Sequence, residues 1–277
     1  MGQIITHSNC HHLVRLLNMT AVVAIATAIS DSHAADLTIR ELQRFSVPEA
    51  HQAVAVDSTS FYAISNRTIA RYPKRATGTQ PEASARWTAP ADSPVQHLNS
   101  GIVHDGRLYC ANSNWPKMPL RNTVEIFEAQ TLQHLERKKF PETAGAINWI
   151  EHHRGAWWIV FAFYGEADVR KTRLVRYDDK WHQTGVWTFP EPVIQRFLPN
   201  SNSGGAFGPN GQLLVTGHDH PELYILEVPD EPGPLVYVAT VAAPIAGQGI
   251  AWDHSEAGTL FGIVRRSREV VTMRISG

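Results

Sequence analysis

Short apolar runs separated by turn-forming pairs recur along this chain from residue 52 onward. Five stretches share the form of a strand, a tight turn and a second strand: "QAVAVDSTSFYAISN" (52–66), "NSGIVHDGRLYCANSN" (99–114), "NWIEHHRGAWWIVFAF" (148–163), "GGAFGPNGQLLVTGHD" (204–219) and "GQGIAWDHSEAGTLFGIVRR" (247–266). Their turn centres are Ser58-Thr59, Asp105-Gly106, Arg154-Gly155, Asn210-Gly211 and Ala257-Gly258, mostly pairs that hairpins favour. An alternating run follows each hairpin, "RTIARY", "NTVEIFEA", "TRLVRYD", "ELYILEV" and "REVVTMRIS". The first four units add a further strand, such as "LQHLERKKF" or "GVWTFP". Four strands per unit at a period of about 45 to 58 residues predict the blades of a propeller. The fifth unit has only three strands, and "DLTIRELQRFSV" (36–47) is left over at the start to supply its outer strand. Such closure hides sheet edges that would otherwise invite aggregation. The expected fold is all-β, a five-bladed β-propeller closed by the N-terminal strand, with a sandwich or irregular β domain as the alternative.

Ahead of that strand, Arg15 precedes the apolar run "LLNMTAVVAIATAIS", and "SHA" (32–34) offers small residues for cleavage. This is the layout of a secretory signal, and the run is too short for a membrane span. The expected organisation is a signal peptide over residues 1–34 and a single propeller domain over 35–277, periplasmic or secreted, with no membrane span after processing. A formal net charge of −1 carries no basic stripe and argues against nucleic acid as a partner. Of the two cysteines, Cys10 falls in the expected signal. That leaves Cys110 alone in a hydrophobic strand, read as a small buried apolar group with no internal disulfide to make. The partner expected is a small-molecule substrate, bound by a monomer.

Strands of a propeller blade run antiparallel and outward from a central channel, so the start of the innermost strand and the end of the second share one face. By register, that face collects Gln52, Asn99, Asn148 and Gly204, with His51, His97, Asn202, Ser203 and Gln248 beside them. The second strands end there in Asn66, in Asn112 and Asn114, in His218, Asp219 and His220, and in Arg265 and Arg266. The opposite face receives the ordinary hairpin turns and, with them, His152 and His153, expected to be solvent-exposed; His182 and His254 look peripheral. The concentration of histidine, amide and arginine on one face marks it as the candidate site, since functional residues favour loops on a rigid scaffold. The bland reading of each such residue is that it satisfies loose backbone groups at a strand end. Trp115, Trp149 and Trp252 lie near channel registers, where blade packing is the simpler expectation than a sugar platform. The sequon Asn66-Arg67-Thr68 is a weak signal.

The stretches "SNSGGAFGPNGQLLVTGHDHPELYILEVP" (201–229) and "GQGIAWD" (247–253) resemble a group of secreted bacterial β-propeller proteins to which the label cycloisomerase is often attached. The likeness is strong over the last third of the chain and extends through "HLNSG" and "WTFP" in the middle. It implies a propeller and a shared site. The positions that carry over are Asn202, Ser203, Gly204, His218, Asp219, Pro221, Glu222, Gln248 and Trp252, whereas His220 falls where the group varies.

Three functions from different classes follow. The first is a lyase or cycloisomerase acting on a small polar substrate such as a sugar acid or lactone. It would remove a proton next to a carboxylate or carbonyl, which needs a base near neutrality and a group to hold the developing oxyanion. His97 and His218 are the candidate base and acid, Arg265 the carboxylate clamp, and Asn99 and Asn202 the polarising donors. His51, Asn114, Ser203, Asp219 and Gln248 complete the expected substrate-binding set. This chemistry requires no cofactor. The second is a metal-dependent lactonase or other hydrolase, in which a divalent ion among His, Asn and Asp side chains activates water. Asp219 is the only well-placed carboxylate for it, and no ligand spacing is diagnostic. The third is a non-catalytic module for carbohydrate or protein, since propellers host both enzymes and scaffolds.

Overall fold

Alternate residues of one strand enter two different apolar wedges, and this repeats around the molecule. In a computed structural model that describes residues 37–276, Ala53 and Ala55 point to one side of their strand while Val54 and Val56 point to the other. Leu213 and Val215 likewise part from Leu214. A strand buried on both faces must be apolar at every position, which is why the inner strands read as continuous hydrophobic runs rather than alternating ones.

The strands are β1 (Thr38–Ser46); β2 (Ala53–Val56), β3 (Ser60–Ile64), β4 (Thr68–Pro73) and β5 (Ala85–Thr88); β6 (His97–Leu98), β7 (Ile102–His104), β8 (Arg107–Ser113), β9 (Asn122–Glu128) and β10 (His134–Phe140). They continue with β11 (Ala146–His153), β12 (Ala156–Ala162), β13 (Arg173–Tyr177) and β14 (Gln183–Thr188); β15 (Gly204–Phe207), β16 (Leu213–Thr216), β17 (Glu222–Glu227) and β18 (Val236–Ala242); and β19 (Ala251–Trp252), β20 (Thr259–Val264) and β21 (Glu269–Ser276). They form five antiparallel sheets, the blades of a β-propeller: β2 to β5, β6 to β10, β11 to β14, β15 to β18, and β19-β20-β21-β1. In the second blade β6 and β7 both pair with β8, so the inner strand is interrupted at 99–101.

In the fifth blade β1 lies antiparallel to β21, from Thr38 opposite Ser276 to Ser46 opposite Glu269, with a bulge between Glu41 and Gln43. Five apolar clusters fill the wedges between neighbouring blades. The one between the fifth and first blades gathers Phe45 and Val47 from the N-terminal segment, Phe61 and Tyr72 from the first blade, and Phe261 and Ile263 from the fifth. Cys110 is buried in the wedge between the first and second blades.

The Asp105-Gly106 and Arg154-Gly155 turns hold both residues at positive φ, the backbone that a two-residue hairpin demands. At Ser58-Thr59 the Asp57 carboxylate instead accepts the backbone N–H groups of Thr59 and Ser60, each at 2.7 Å. Among the described residues, two short 3-10 turns (Glu142–Ala144 and Val169–Lys171) and one α-helix go beyond the repeat. Helix α1 (Glu191–Phe197) follows the third blade, begins with proline in its first turn, and buries Val193, Ile194 and Phe197 in the wedge toward the fourth blade. Among the described residues no helix is long and apolar enough to cross a membrane. The expected leader, residues 1–34, lies outside them.

Candidate functional site

β16 ends the second strand of the fourth blade at Thr216, and Gly217, His218 and Asp219 carry the chain over the rim of the channel before β17 begins at Glu222. The fifth blade holds this turn from the side. The Thr216 hydroxyl donates to the Gln248 carbonyl (2.6 Å), the Gln248 N–H to the Gly217 carbonyl (3.2 Å), and Gln248 Nε2 to the His218 carbonyl (3.2 Å). Gln248 and Gly247 both sit at positive φ. A Cβ on Gly247 would run into the backbone of His218, and one on Gly204 into the Gln248 carbonyl. The stretches "SNSGG", "GHD" and "GQG" are therefore one interlocked structure, in which Gly204 and Gly247 are spacing requirements. Left-handed backbone at a non-glycine costs about 1–3 kcal/mol and persists where the surroundings enforce it.

On this support stands a chain of polar contacts spanning three blades. Asn200 Nδ2 donates to Asp219 Oδ2 (2.9 Å), and Asp219 Oδ1 lies 2.6 Å from His218 Nδ1. Arg265 Nη1 stands 3.4 Å from His218 Nε2, and Arg265 Nε donates to His51 Nε2 at 3.1 Å. A guanidinium can only donate, so Nε2 accepts on both imidazoles. In the neutral His218 ring the proton is then on Nδ1, facing Asp219. Burial, reinforced by Arg265, Arg268 and His97, pulls the His51 pKa down to about 4. His97 is lowered chiefly by burial, with Arg265 adding to it and hydrogen bonding to the backbone of Trp115 opposing it. Both imidazoles are thus neutral at pH 7. Burial and Arg268 also lower the pKa of Arg265, against the pull of Asp219.

The chain borders two adjoining chambers. The inner one, about 230 Å³, has amide walls from Gln52, Asn99, Asn148 and Asn200, with Ser203 and Gln248 nearby. Trp115 and Tyr164, stacked at 4.4 Å, form an aromatic side, and His97, His218 and Arg265 complete the lining. The outer chamber, about 430 Å³, shares His218, Gln248 and Arg265 and adds His51, Asp219, Ala246, Arg266 and Arg268. The contents suit a small polar anion: hydrogen-bonding amides deep inside, cationic arginine at the mouth, and two neutral imidazoles.

Of the residues picked from sequence, His97, Asn99, Ser203, His218, Gln248 and Arg265 line the inner chamber. His51 and Asp219 join them through the outer one. Two are not brought to the space. Asn202 is fully buried, donating to the Gly204 and Thr216 carbonyls and accepting from the Trp149 indole, so it is a strut between blades. Asn114 donates to the Pro119 carbonyl and accepts from the Arg121 N–H, holding its own loop. Asn99 spends one amide N–H on the Ile147 carbonyl.

Glu222 meets Arg196 and the Tyr224 hydroxyl, and Trp252 is core. On the far face, His153 is not simply solvated: its ring lies flat on Phe207 at 4.3 Å, while His152 stacks on His104 at 3.8 Å. A turn that abuts the next blade's apolar wedge gives an imidazole something to cover. Sequence reasoning missed Tyr164 and Asn200, and it left Gln52, Asn148 and Trp115 in channel register without a role. Tyr164 lies beyond the strand it follows and carries no pattern, and Asn200 stands one position before the recognisable "SNSGG".

A separate groove of about 320 Å³ runs between the third and fourth blades on the hairpin-turn face. There the Arg176 guanidinium is already seated over Trp158 and Trp187. Among the described residues no three His, Cys, Asp or Glu side chains gather as a metal-binding group.

No family model and no curated protein matches the chain. Solved structures are similar to it at the level of the fold. The PQQ-bound form of an aldose sugar dehydrogenase from Streptomyces coelicolor superposes with a TM-score of 0.55 at 9% identity, covering 87% of this chain and 99% of that one. A luciferin-regenerating enzyme gives a TM-score of 0.49 at 10% identity, over 87% of this chain and 95% of that one. The first of these supports the propeller architecture; at such identity neither speaks to chemistry.

Proposed function

We propose that the protein is an exported enzyme of lyase or cycloisomerase type acting on a small polar anion, of the sugar-acid or lactone kind, at this channel mouth. One observation carries the reading: the Asp219–His218–Arg265–His51 chain opens onto an amide-lined chamber. His218 Nε2 is the proton acceptor. In the resting site Arg265 occupies its lone pair, and a substrate carboxylate that draws the guanidinium to itself frees it. The proton next to the carboxylate passes to Nε2, and Asp219 stabilises the imidazolium through Nδ1–H as the orienting acid of a triad does. The electron pair moves onto the carboxylate or carbonyl oxygen, where Arg265 holds the developing charge. The carbanion then expels a β-substituent or takes the proton back at another position. His97, neutral and lining the same chamber, is the second proton-transfer group. Trp115 and Tyr164 offer a flat apolar side to a sugar ring.

The test is proton exchange. The protein is incubated in D2O with a panel of sugar acids and lactones, and loss of the signal next to the carbonyl is followed by NMR. Exchange or elimination that disappears in His218→Ala is the expected result. Saturable binding of panel members without exchange in any form of the protein would make it a binding module instead.

A further inference from the structure

The turn joining β20 to β21 reads Arg265-Arg266-Ser267-Arg268, and all three of its arginines border the outer chamber. The acid next in sequence, Glu269, is committed elsewhere: it takes the Arg44 guanidinium at 2.8 Å and the Ser267 hydroxyl. The chamber's own acid, Asp219, is held by His218 and Asn200. Elsewhere arginines meet carboxylates across blade surfaces, as Arg86 does Glu49, Arg137 Glu125 and Arg196 Glu222. Arg266 and Arg268 have no such partner among the described residues. Arg268 is also held at positive φ, and its carbonyl accepts the Val47 N–H, which fixes the turn against the N-terminal segment. Three guanidinium groups are thus kept around one space against one carboxylate, a repulsive arrangement for the folded chain on its own.

A bound anion relieves it. A single carboxylate engages one guanidinium fork and leaves the other two uncompensated. A phosphate monoester carries close to two negative charges at neutral pH and presents three acceptor oxygens that guanidinium forks match. The outer chamber adjoins the inner one through His218, Gln248 and Arg265, so one ligand can reach both. We infer that the outer chamber is a phosphate subsite formed by Arg265, Arg266 and Arg268, so that the substrate is a phosphorylated sugar acid or lactone whose polar body lies in the inner chamber. This rests on the reading of the channel mouth as the substrate site.

The test is equilibrium binding by calorimetry at low ionic strength, with inorganic phosphate, acetate and malonate as probes of the whole exported chain. Phosphate should bind most tightly. Arg266→Gln combined with Arg268→Gln should weaken it about tenfold, the scale of lost charged hydrogen bonds, while Arg154→Gln on the far face leaves it unchanged. Both substituted side chains are exposed, so the urea midpoint should stay put. Acetate or malonate binding as tightly as phosphate would overturn the inference, and so would phosphate binding that the double variant does not alter. The readout needs no turnover: phosphate binding weakened in the double variant, in a protein that exchanges no proton of sugar acids or of their phosphate esters, would support the subsite and sink the catalytic reading alone.

Discussion

Removing the Phe45 ring tests whether the N-terminal strand holds the fifth blade against the first. The ring is fully buried, stacked on Phe61 at 5.0 Å, and Phe61 in turn stacks on Tyr72 at 5.2 Å and tilts against Phe261 at 6.2 Å. These four rings come from β1, both neighbouring blades and no other part of the chain. Phe45→Ala deletes a ring from a wedge walled by two sheets, which cannot collapse without moving a blade. The expected loss is therefore at the upper end for buried aromatics, about 3–5 kcal/mol, of which the aromatic pairing is about 0.5–1.5. Leu42→Ala, on the exposed side of the same strand, should cost under about 0.5 kcal/mol. The assay is urea unfolding followed by tryptophan fluorescence, where the first variant should lower the midpoint by about 1–2 M with the slope unchanged. A loss below about 1 kcal/mol for Phe45→Ala, or equal losses for the two variants, would show that β1 is an appendage rather than the strand that completes the ring.

Glu151 is buried, with only the His152 N–H to offset desolvation, and its pKa is pushed up to about 8. The unfolded chain releases this proton near pH 4.5 and the folded chain keeps it to about 8, so the group costs stability increasingly as pH rises between the two, at up to about 1.4 kcal/mol per pH unit. Glu151→Gln should remove that slope and raise stability at pH 7.5 by up to about 4 kcal/mol, three pH units at that slope; an unchanged urea midpoint would refute it. In that background the histidines dominate the profile between about pH 6.5 and 5, above the range where the carboxylates held low, such as Asp57 and Glu269, begin to titrate. His51 and His153 have native pKa values of about 4, and burial lowers His97, His152 and His254 as well, so the stability these neutral rings contribute is present above 6.5 and is lost as pH falls below it. After discounting for partial exposure, a fall of about 1 kcal/mol per pH unit is expected in urea titrations, and a flat profile would contradict it. Gly247→Ala forces a Cβ into the His218 backbone at positive φ, so a loss of about 1–3 kcal/mol is expected by the same unfolding assay. A stability equal to the parent would show that the turn yields freely.

Much of the architecture is legible in the chain because a propeller repeats one local pattern. Asp105-Gly106 and Arg154-Gly155 announce their hairpins, and the strands between wedges announce double burial by being apolar at successive positions, as in Leu213-Leu214-Val215. Counting register from the turns also finds the face that carries the two polar chambers, and with it His51, His97, His218 and Arg265. Register does not reveal what a side chain there is already bonded to. Asn202 and Ser203 are neighbours on that face, yet Asn202 is spent on Trp149 and two carbonyls while Ser203 borders the chamber. Nor does a strand pattern reach loops: Tyr164, Trp115 and Asn200 are placed by tertiary contacts, and α1 is too short for its spacing of Val193, Ile194 and Phe197 to stand out. His153 illustrates the converse, a turn residue that looks solvated until the neighbouring blade supplies Phe207.

The account depends most on His218 serving the chamber rather than the turn that carries it. The ring's contacts are Asp219 and Arg265, both side chains of the site, whereas the turn itself is held by backbone groups of Gly217 and His218 and by Gln248. The decisive measurement pairs two readings on His218→Ala: the urea midpoint and the rate of substrate proton exchange in D2O. The expected result is an unfolding free energy, taken from that midpoint, within about 0.5 kcal/mol of the parent together with abolished exchange. An unfolding free energy lowered by about 1–3 kcal/mol, the cost of stranding hydrogen-bond partners, with exchange intact would contradict it and make the imidazole a cap on the turn.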